Sequence, residues 1–254
     1  MKPIVRVVAE RIARHVNGLK VKDFCVCLKA AYVVVEDAFG EAAVGVAHVP
    51  LVELHGTGDV RPPTKLEELP ELVTDLNPIT RVLAVAAMNA VSQYVLSRRG
   101  VEEGDILRYV VKEPVCVVGH MPPLVNKLKQ RGLKFYVFEK TPTLRAEYMS
   151  DAEEYLLIPT CRTNVITGMT LLNFTIDTIL RLSKGLNILV GPTAGALPEA
   201  FKDTGVHVIY SLHITKVNEL VNHLKLGNFV SVIYHKRFGT PYVHEIDPLA
   251  HLKF

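Results

Sequence analysis

The chain has 254 residues, enough for one large domain or two of ordinary size, and its 49% hydrophobic content can bury a sizeable core, which excludes a disordered chain. The net charge is +3 with the basic residues spread out; Arg98–Arg99 and Lys236–Arg237 are only pairs, without the density of a nucleic-acid arm or a membrane-binding polybasic run. No apolar run reads as long enough to span a bilayer, and four cysteines at 25, 27, 116 and 161 show neither a disulfide framework nor a zinc-ribbon spacing. The expectation is a soluble cytoplasmic protein with no nucleic-acid and no membrane partner.

The N-terminus, MKPIVRVVAERIARHV, is interrupted by Arg6, Glu10, Arg11 and Arg14, so it is not a signal peptide. Ile4, Val5, Val8, Ile12 and Val16 repeat with helical spacing and predict an amphipathic helix ending near Asn17–Gly18. Its apolar face leaves a homo-oligomer open. KDFCVCLKAAYVVVED reads as one strand, DAFGE as a turn and AAVGVAHVPLV as the returning strand, an antiparallel hairpin. ELHGTGDVRPP is turn-rich, and LEELPELV predicts a short helix. Asn77 and Pro78 open a long helix as cap and first residue, and Gly100 ends it. From periodicity alone, Asn89 in that helix reads as a solvent-facing position.

EEGDILRYVVKEP, residues 102–114, reads as a linker, and beyond it short apolar strands alternate with helices. The expected strands are VCVVG, FYVFE, LLIPT, NILVG and VHVIYS; the helices run over Pro122–Gln130, Thr170–Ser183, Leu197–Lys202 and Thr215–Leu226, with at most a helix or two over 143–154. The tail, Phe229 to Ile246, reads as a hairpin. This pattern predicts a parallel sheet covered on both faces, and so a Rossmann-like second half.

Ligands of such sheets bind beyond the carboxyl ends of the strands. There the sequence places Gly119-His120-Met121-Pro122-Pro123, Glu139, a Thr/Asn-rich loop and Gly191-Pro192-Thr193. The loop and first helical turn hold Thr160, Thr163, Asn164, Thr167, Gly168, Thr170, Asn173 and Thr175, more small polar side chains than capping requires. A helix starting at Thr167 would offer N–H groups and a positive dipole end to an anion, with Gly168 allowing close approach. Glu139 lies 20 positions after Gly119, the spacing of the carboxylate that holds a ribose hydroxyl in nucleotide sites. Pro122 and Pro123, however, have no N–H for a pyrophosphate. His120 could ligate a metal or act as a general base; the alternative is an imidazole bonded to a backbone carbonyl. Cys25 and Cys27 share one face of a strand and read as buried small residues before they read as a soft-metal clamp. Cys161, between Thr160 and Arg162, could be an activated thiol, although no base partner is visible.

VVGHMPP, the strand ending in Glu139, TGMTLLNFTIDTIL and LVGPTAGALP together resemble the C-terminal domain of the putative heavy-metal chelation family. The first half resembles that family's N-terminal domain, which is similar in fold to the N-terminal domain of enolase, an antiparallel meander followed by helices; LAVAAMNAV is its clearest piece. The resemblance is strongest from Val115 to Pro198, and Cys25 and Cys27 lie outside its motifs. It implies an α/β protein with an enolase-N-like α+β domain over 1–104, a Rossmann-like domain over 105–254, and a site in the cleft between them. It also raises Asn89 to a site residue beside Gly119, His120, Glu139, Thr167, Gly168, Thr170, Asn173, Gly191, Pro192 and Thr193. No enolase chemistry follows, because the catalytic barrel of that enzyme is absent and fold likeness does not carry function.

The leading expectation is a protein that binds a small polar or anionic ligand, a divalent metal ion or a metal chelate in that cleft, with His120 and Glu139 as metal ligands. The runner-up is an enzyme using a nucleotide-type cofactor, S-adenosylmethionine or a nicotinamide, with Glu139 on the ribose and His120 as acid or base. A third is a non-catalytic scaffold.

Overall fold

The computed structural model describes residues 2–54, 58–144 and 146–246. Helix α1 (Ile4–Ile12) buries Val5, Val8, Ala9 and Ile12, the apolar stripe of the sequence, and the Asp177 carboxylate accepts the Ile4 N–H at 3.0 Å. Strands β1 (Lys20–Val26), β2 (Ala30–Glu36) and β3 (Ala42–His48) form an antiparallel sheet in that order. The stretch expected as one strand is therefore two. The chain turns at Cys27–Lys29, where the Cys27 N–H donates back to the Ala30 carbonyl at 3.2 Å. The meander implied by the family resemblance is what forms.

A short helix, α2 (Leu69–Leu72), precedes α3 (Pro78–Arg99). Asn77 Oδ1 accepts from the N–H groups of Ile79 and Thr80, Pro78 takes the first helical position, and Gly100 stops the helix at φ 75°. By length and composition α3 could cross a membrane, contrary to the expectation that no run is long enough, but 83% of that stretch is buried inside the fold. The seam between β3 and α3 is closed to backbone contact: a Cβ on Gly45 would lie 2.1 Å from the Ala86 carbonyl oxygen and from the Ala90 nitrogen.

The second sheet has seven strands: β4 (Val115–Val118), β5 (Phe135–Glu139), β6 (Met149–Ser150), β7 (Thr163–Thr167), β8 (Leu186–Val190), β9 (Val208–Ile214) and β10 (Gly239–Glu245). Their order is β10-β9-β8-β7-β4-β5-β6, and all are parallel except β10, which runs antiparallel along β9. The tail is thus one added edge strand, not a hairpin of its own. Helices α4 (Pro122–Gln130) and α7 (Val217–Lys225) send Leu128, Leu220 and Leu224 to the core on one face; α6 (Thr175–Leu182) sends Ile176 and Ile179 to the other, where α3 also packs.

The third expected strand is misplaced in the sequence reading. LLIPT forms α5 (Glu154–Leu157) and a 3-10 turn (Ile158–Thr160); the strand is TNVIT, β7. Two facts hide it. Leu156 is 68% exposed, so the apolar run there is not core. The polar side chains of β7 find partners inside: Thr163 Oγ1 donates to the Lys112 carbonyl and Asn164 Nδ2 to Ser183 and Asn187.

Candidate functional site

Winding leaves β4 in both directions, through β5 to β6 and through β7 to β9, so the strand order reverses between β4 and β7. Loops leaving two such strands part and open a crevice. A cleft lies there in two lobes, of about 500 and 470 Å³, both lined by His48, His120 and Thr167.

The first lobe is walled by the turn after β8 and by residues 229–234. Gly191 leaves β8 at φ 110°, its N–H bonded to the Tyr210 carbonyl and its own carbonyl accepting from Ser211 Oγ. Pro192 and Thr193 follow, and Thr193 Oγ1 accepts the His48 N–H at 3.0 Å. The second lobe collects Gly119, Glu139, Thr170 and Asn173 with Glu53, Lys140 and Glu154. Gly119 sits at φ 99°, and a Cβ there would meet Thr167 Cγ2 at 2.9 Å. Glu139 Oε1 accepts from the N–H and hydroxyl of Thr141 at 2.9 and 2.8 Å. Asn173 Nδ2 donates to both Glu53 oxygens, and Glu53 pairs with Lys140.

Two expected residues lie beneath the cleft rather than on its wall. Asn89 is 1% exposed; its Nδ2 donates to the carbonyls of Val46, Pro192 and Thr193 at 2.9, 3.2 and 3.0 Å. It faces the second sheet's loops, as the resemblance implies, and ties β3 to the 191–193 turn instead of facing solvent. Gly168 is buried, with the Ala194 nitrogen 2.5 Å from where a Cβ would be, so protein, not ligand, fills that space. The long helix also does not begin at Thr167. Gly168–Leu171 is a 3-10 turn, Phe174 breaks the chain at φ 62°, and α6 starts at Thr175 beneath Asn173 Oδ1. Thr167 Oγ1 accepts from Met169, and Thr170 Oγ1 donates to the Thr167 carbonyl, so the helix-dipole argument for an anion there loses its helix. Thr160, Thr163 and Asn164 belong to other surroundings: Thr160 Oγ1 donates to the Leu157 carbonyl, and the other two are core residues of β7.

His48, Glu53, Lys140 and Glu154 escaped the sequence reading. His48 ends an apolar strand with a polar residue, the same signal that picked out Glu139 in β5. Its Nε2 lies 2.9 Å from the Val230 carbonyl, which can only accept, so Nε2 carries the proton and Nδ1 the lone pair. Burial pulls the His48 pKa down, which keeps the ring neutral. Burial and the Asp151 and Glu139 carboxylates push Glu154 up to about 7, against the opposing charge of Lys140. His120 is exposed, with its ring 5.5 Å from that of Tyr148.

The donor set argues against a bare heavy-metal ion. Soft metals take thiolates, and the four cysteines stand in two disulfides, Cys25–Cys27 and Cys116–Cys161. That pairing corrects the sequence reading; Cys161 is a buried bonded residue, not an activated thiol. Among the described residues, no three His, Cys, Asp or Glu side chains gather closely enough to hold a metal ion. His120 and Glu139 line the second lobe together with His48, Glu53 and Glu154, but no three of these described side chains gather closely enough to hold a metal ion.

Residues 105–239 and residues 9–92 each match a family model described as putative heavy-metal chelation. An uncharacterized protein of Methanocaldococcus jannaschii is 37% identical over 242 residues, covering 91% of this chain and 92% of that one. The crystal structure of a protein of unknown function from Pyrococcus horikoshii is similar over 95% of this chain and 99% of its own, at TM-score 0.84 and 31% identity. Another, from Desulfitobacterium hafniense, covers 95% and 98% at TM-score 0.72 and 18% identity, a likeness of fold alone. Matched in both halves, and in sequence along nearly its whole length, the chain belongs to the putative heavy-metal chelation family.

Proposed function

We propose that this chain binds a small polar ligand, and a heavy metal as a complex of that ligand, in the cleft between an enolase-N-like domain over 1–104 and a Rossmann-like domain over 105–254. The observation that carries the reading is the cleft itself: two joined lobes at the strand-order reversal, sharing His48, His120 and Thr167. A metal arriving with its own organic donors needs only one or two from the protein. His120 imidazole and Glu139 carboxylate are the groups suited to complete it, with the neutral His48 ring beside them. The proposal places the protein in the cytoplasm with a small molecule as partner.

Native mass spectrometry of the protein purified without added metal, beside elemental analysis of the same sample, tests this. The expected result is a bound organic mass that carries a metal, with metal content reduced in His120→Ala. A bare chain that takes up neither metal complexes nor nucleotides on titration sinks the proposal and leaves a scaffold.

The strand order favours a second reading, an enzyme with a nucleotide-type cofactor. Numbered from β4, it is the 3-2-1-4-5-6 order of dinucleotide sheets, with Glu139 ending the second strand. The proline pair at the start of α4 argues against a pyrophosphate. A metal-free adenosine-containing mass, lost in Glu139→Ala, would select this reading.

A further inference from the structure

The two lobes of the cleft differ in chemistry. Among the described residues, the first has no Asp, Glu, Lys or Arg in its wall. It is built from Met121, Val190, Tyr210, Phe229, Ile233 and Tyr234 among other apolar groups, with His48 and His120 at its junction with the second lobe. Among the described residues, the second is lined by three carboxylates, Glu53, Glu139 and Glu154, against one ammonium, Lys140. That ammonium is paired with Glu53. Among the described residues no basic side chain lies within ion-pair distance of Glu139 or Glu154. An apolar wall with aromatic side chains takes rings, and a partly buried pair of carboxylates short of cations takes a cation.

We infer that the cleft takes a two-part cationic ligand, an apolar ring in the first lobe joined past His48, His120 and Thr167 to an ammonium group beside Glu139 and Glu154 in the second. The inference rests on the reading of the cleft as the ligand site and names the class of molecule it accepts. The raised pKa of Glu154 agrees with it: burial is the first cause, and the Asp151 and Glu139 carboxylates add to it against Lys140.

The test uses three probes of one shape: 3-phenylpropylamine, 3-phenyl-1-propanol and 3-phenylpropionate. Each is titrated into the full-length isotope-labelled protein while backbone amide shifts are followed. The amine is expected to perturb residues around both lobes and to bind at least about tenfold more tightly than the acid, with the alcohol between. The Glu139→Gln, Glu154→Gln double variant should abolish the preference of amine over alcohol. Tyr234→Ala should weaken amine and alcohol alike, by several-fold. Equal or tighter binding of the acid, with shifts in the same cleft residues, overturns the cationic class and leaves the cleft as a ligand site. Shifts outside the cleft only, or none with any probe, overturn both.

Discussion

The seam between β3 and α3 and the cleft at its end are neighbours built to opposite rules. The seam has no room at all: Gly45 lies against the Ala86 and Ala90 backbone, and the buried Asn89 bonds carbonyls on both sides. The cleft holds about 500 Å³ of open space in one lobe and 470 Å³ in the other. Close packing of the seam fixes where β3 ends, and β3 ends in His48, whose N–H is bonded to Thr193 and whose ring is bonded to Val230. Rigid elements hold a site more accurately than loops do. The tight region therefore sets the geometry of the loose one, and substitutions in the two should read out differently.

The largest effect belongs to Gly45→Ala. The added methyl would overlap backbone atoms of α3, which cannot yield as a side-chain tip can. The helix would have to move off the sheet, at a cost of about 3 kcal/mol or more. Denaturant unfolding measures it; a loss below about 1 kcal/mol would show that the seam is softer than its contacts. Asn89→Ala comes next. It leaves the carbonyls of Val46, Pro192 and Thr193 without their shared donor, and the expected loss is about 2–3 kcal/mol. Asn89→Asp separates hydrogen bonding from volume. It keeps the size but turns acceptors toward three carbonyls, so it should be at least as damaging as Asn89→Ala at neutral pH. If Asn89→Asp is instead as stable as the wild type, the side chain is not the clasp between β3 and the 191–193 turn.

The same contrast explains what could be read in the sequence. Helix α3 was legible from Asn77-Pro78 to Gly100 because its signals are local. The parallel sheet was legible because β4, β5 and β8 are short apolar runs with strand ends where the residues change character. Strand β7 was not, because Thr163 and Asn164 look like loop residues until their partners Lys112, Ser183 and Asn187 are brought beside them by the fold. The site divides in the same way. His120, Glu139 and Gly191 stand at strand ends and could be found from strand pattern alone. His48 and Glu53 come from the first sheet and its following turn, and only the packing of α3 between the two sheets carries them to the cleft. Asn89 needed the family resemblance, since a buried polar residue within an apolar helix has no periodic signature of its own.

The smallest predicted effect lies on the cleft side, where a carboxylate is held against its preference. Glu154 has an ordinary pKa of 4.5 and is raised to about 7 in the fold, first by burial and then by Asp151, with Glu139 adding and Lys140 opposing. Between those two values the native state binds the proton more tightly than the unfolded chain does. The contribution of this group to stability is therefore greatest below the lower value, is lost as pH rises toward 7, and stays lost above it. Glu154→Gln is neutral at every pH, so it should stabilise the protein at pH 8 and leave it unchanged at pH 4. The whole shift would correspond to about 3 kcal/mol, but the side chain keeps partial contact with water, so the expected gain is about 1 kcal/mol, or ~2 °C in Tm. Thermal unfolding of both proteins across that range decides it. A gain of the same size at both pH values would mean that the substitution acts through packing, not charge. A loss at pH 8 would mean that the ionised carboxylate already has a stabilising partner, and the second lobe would then be less short of positive charge than its described lining indicates.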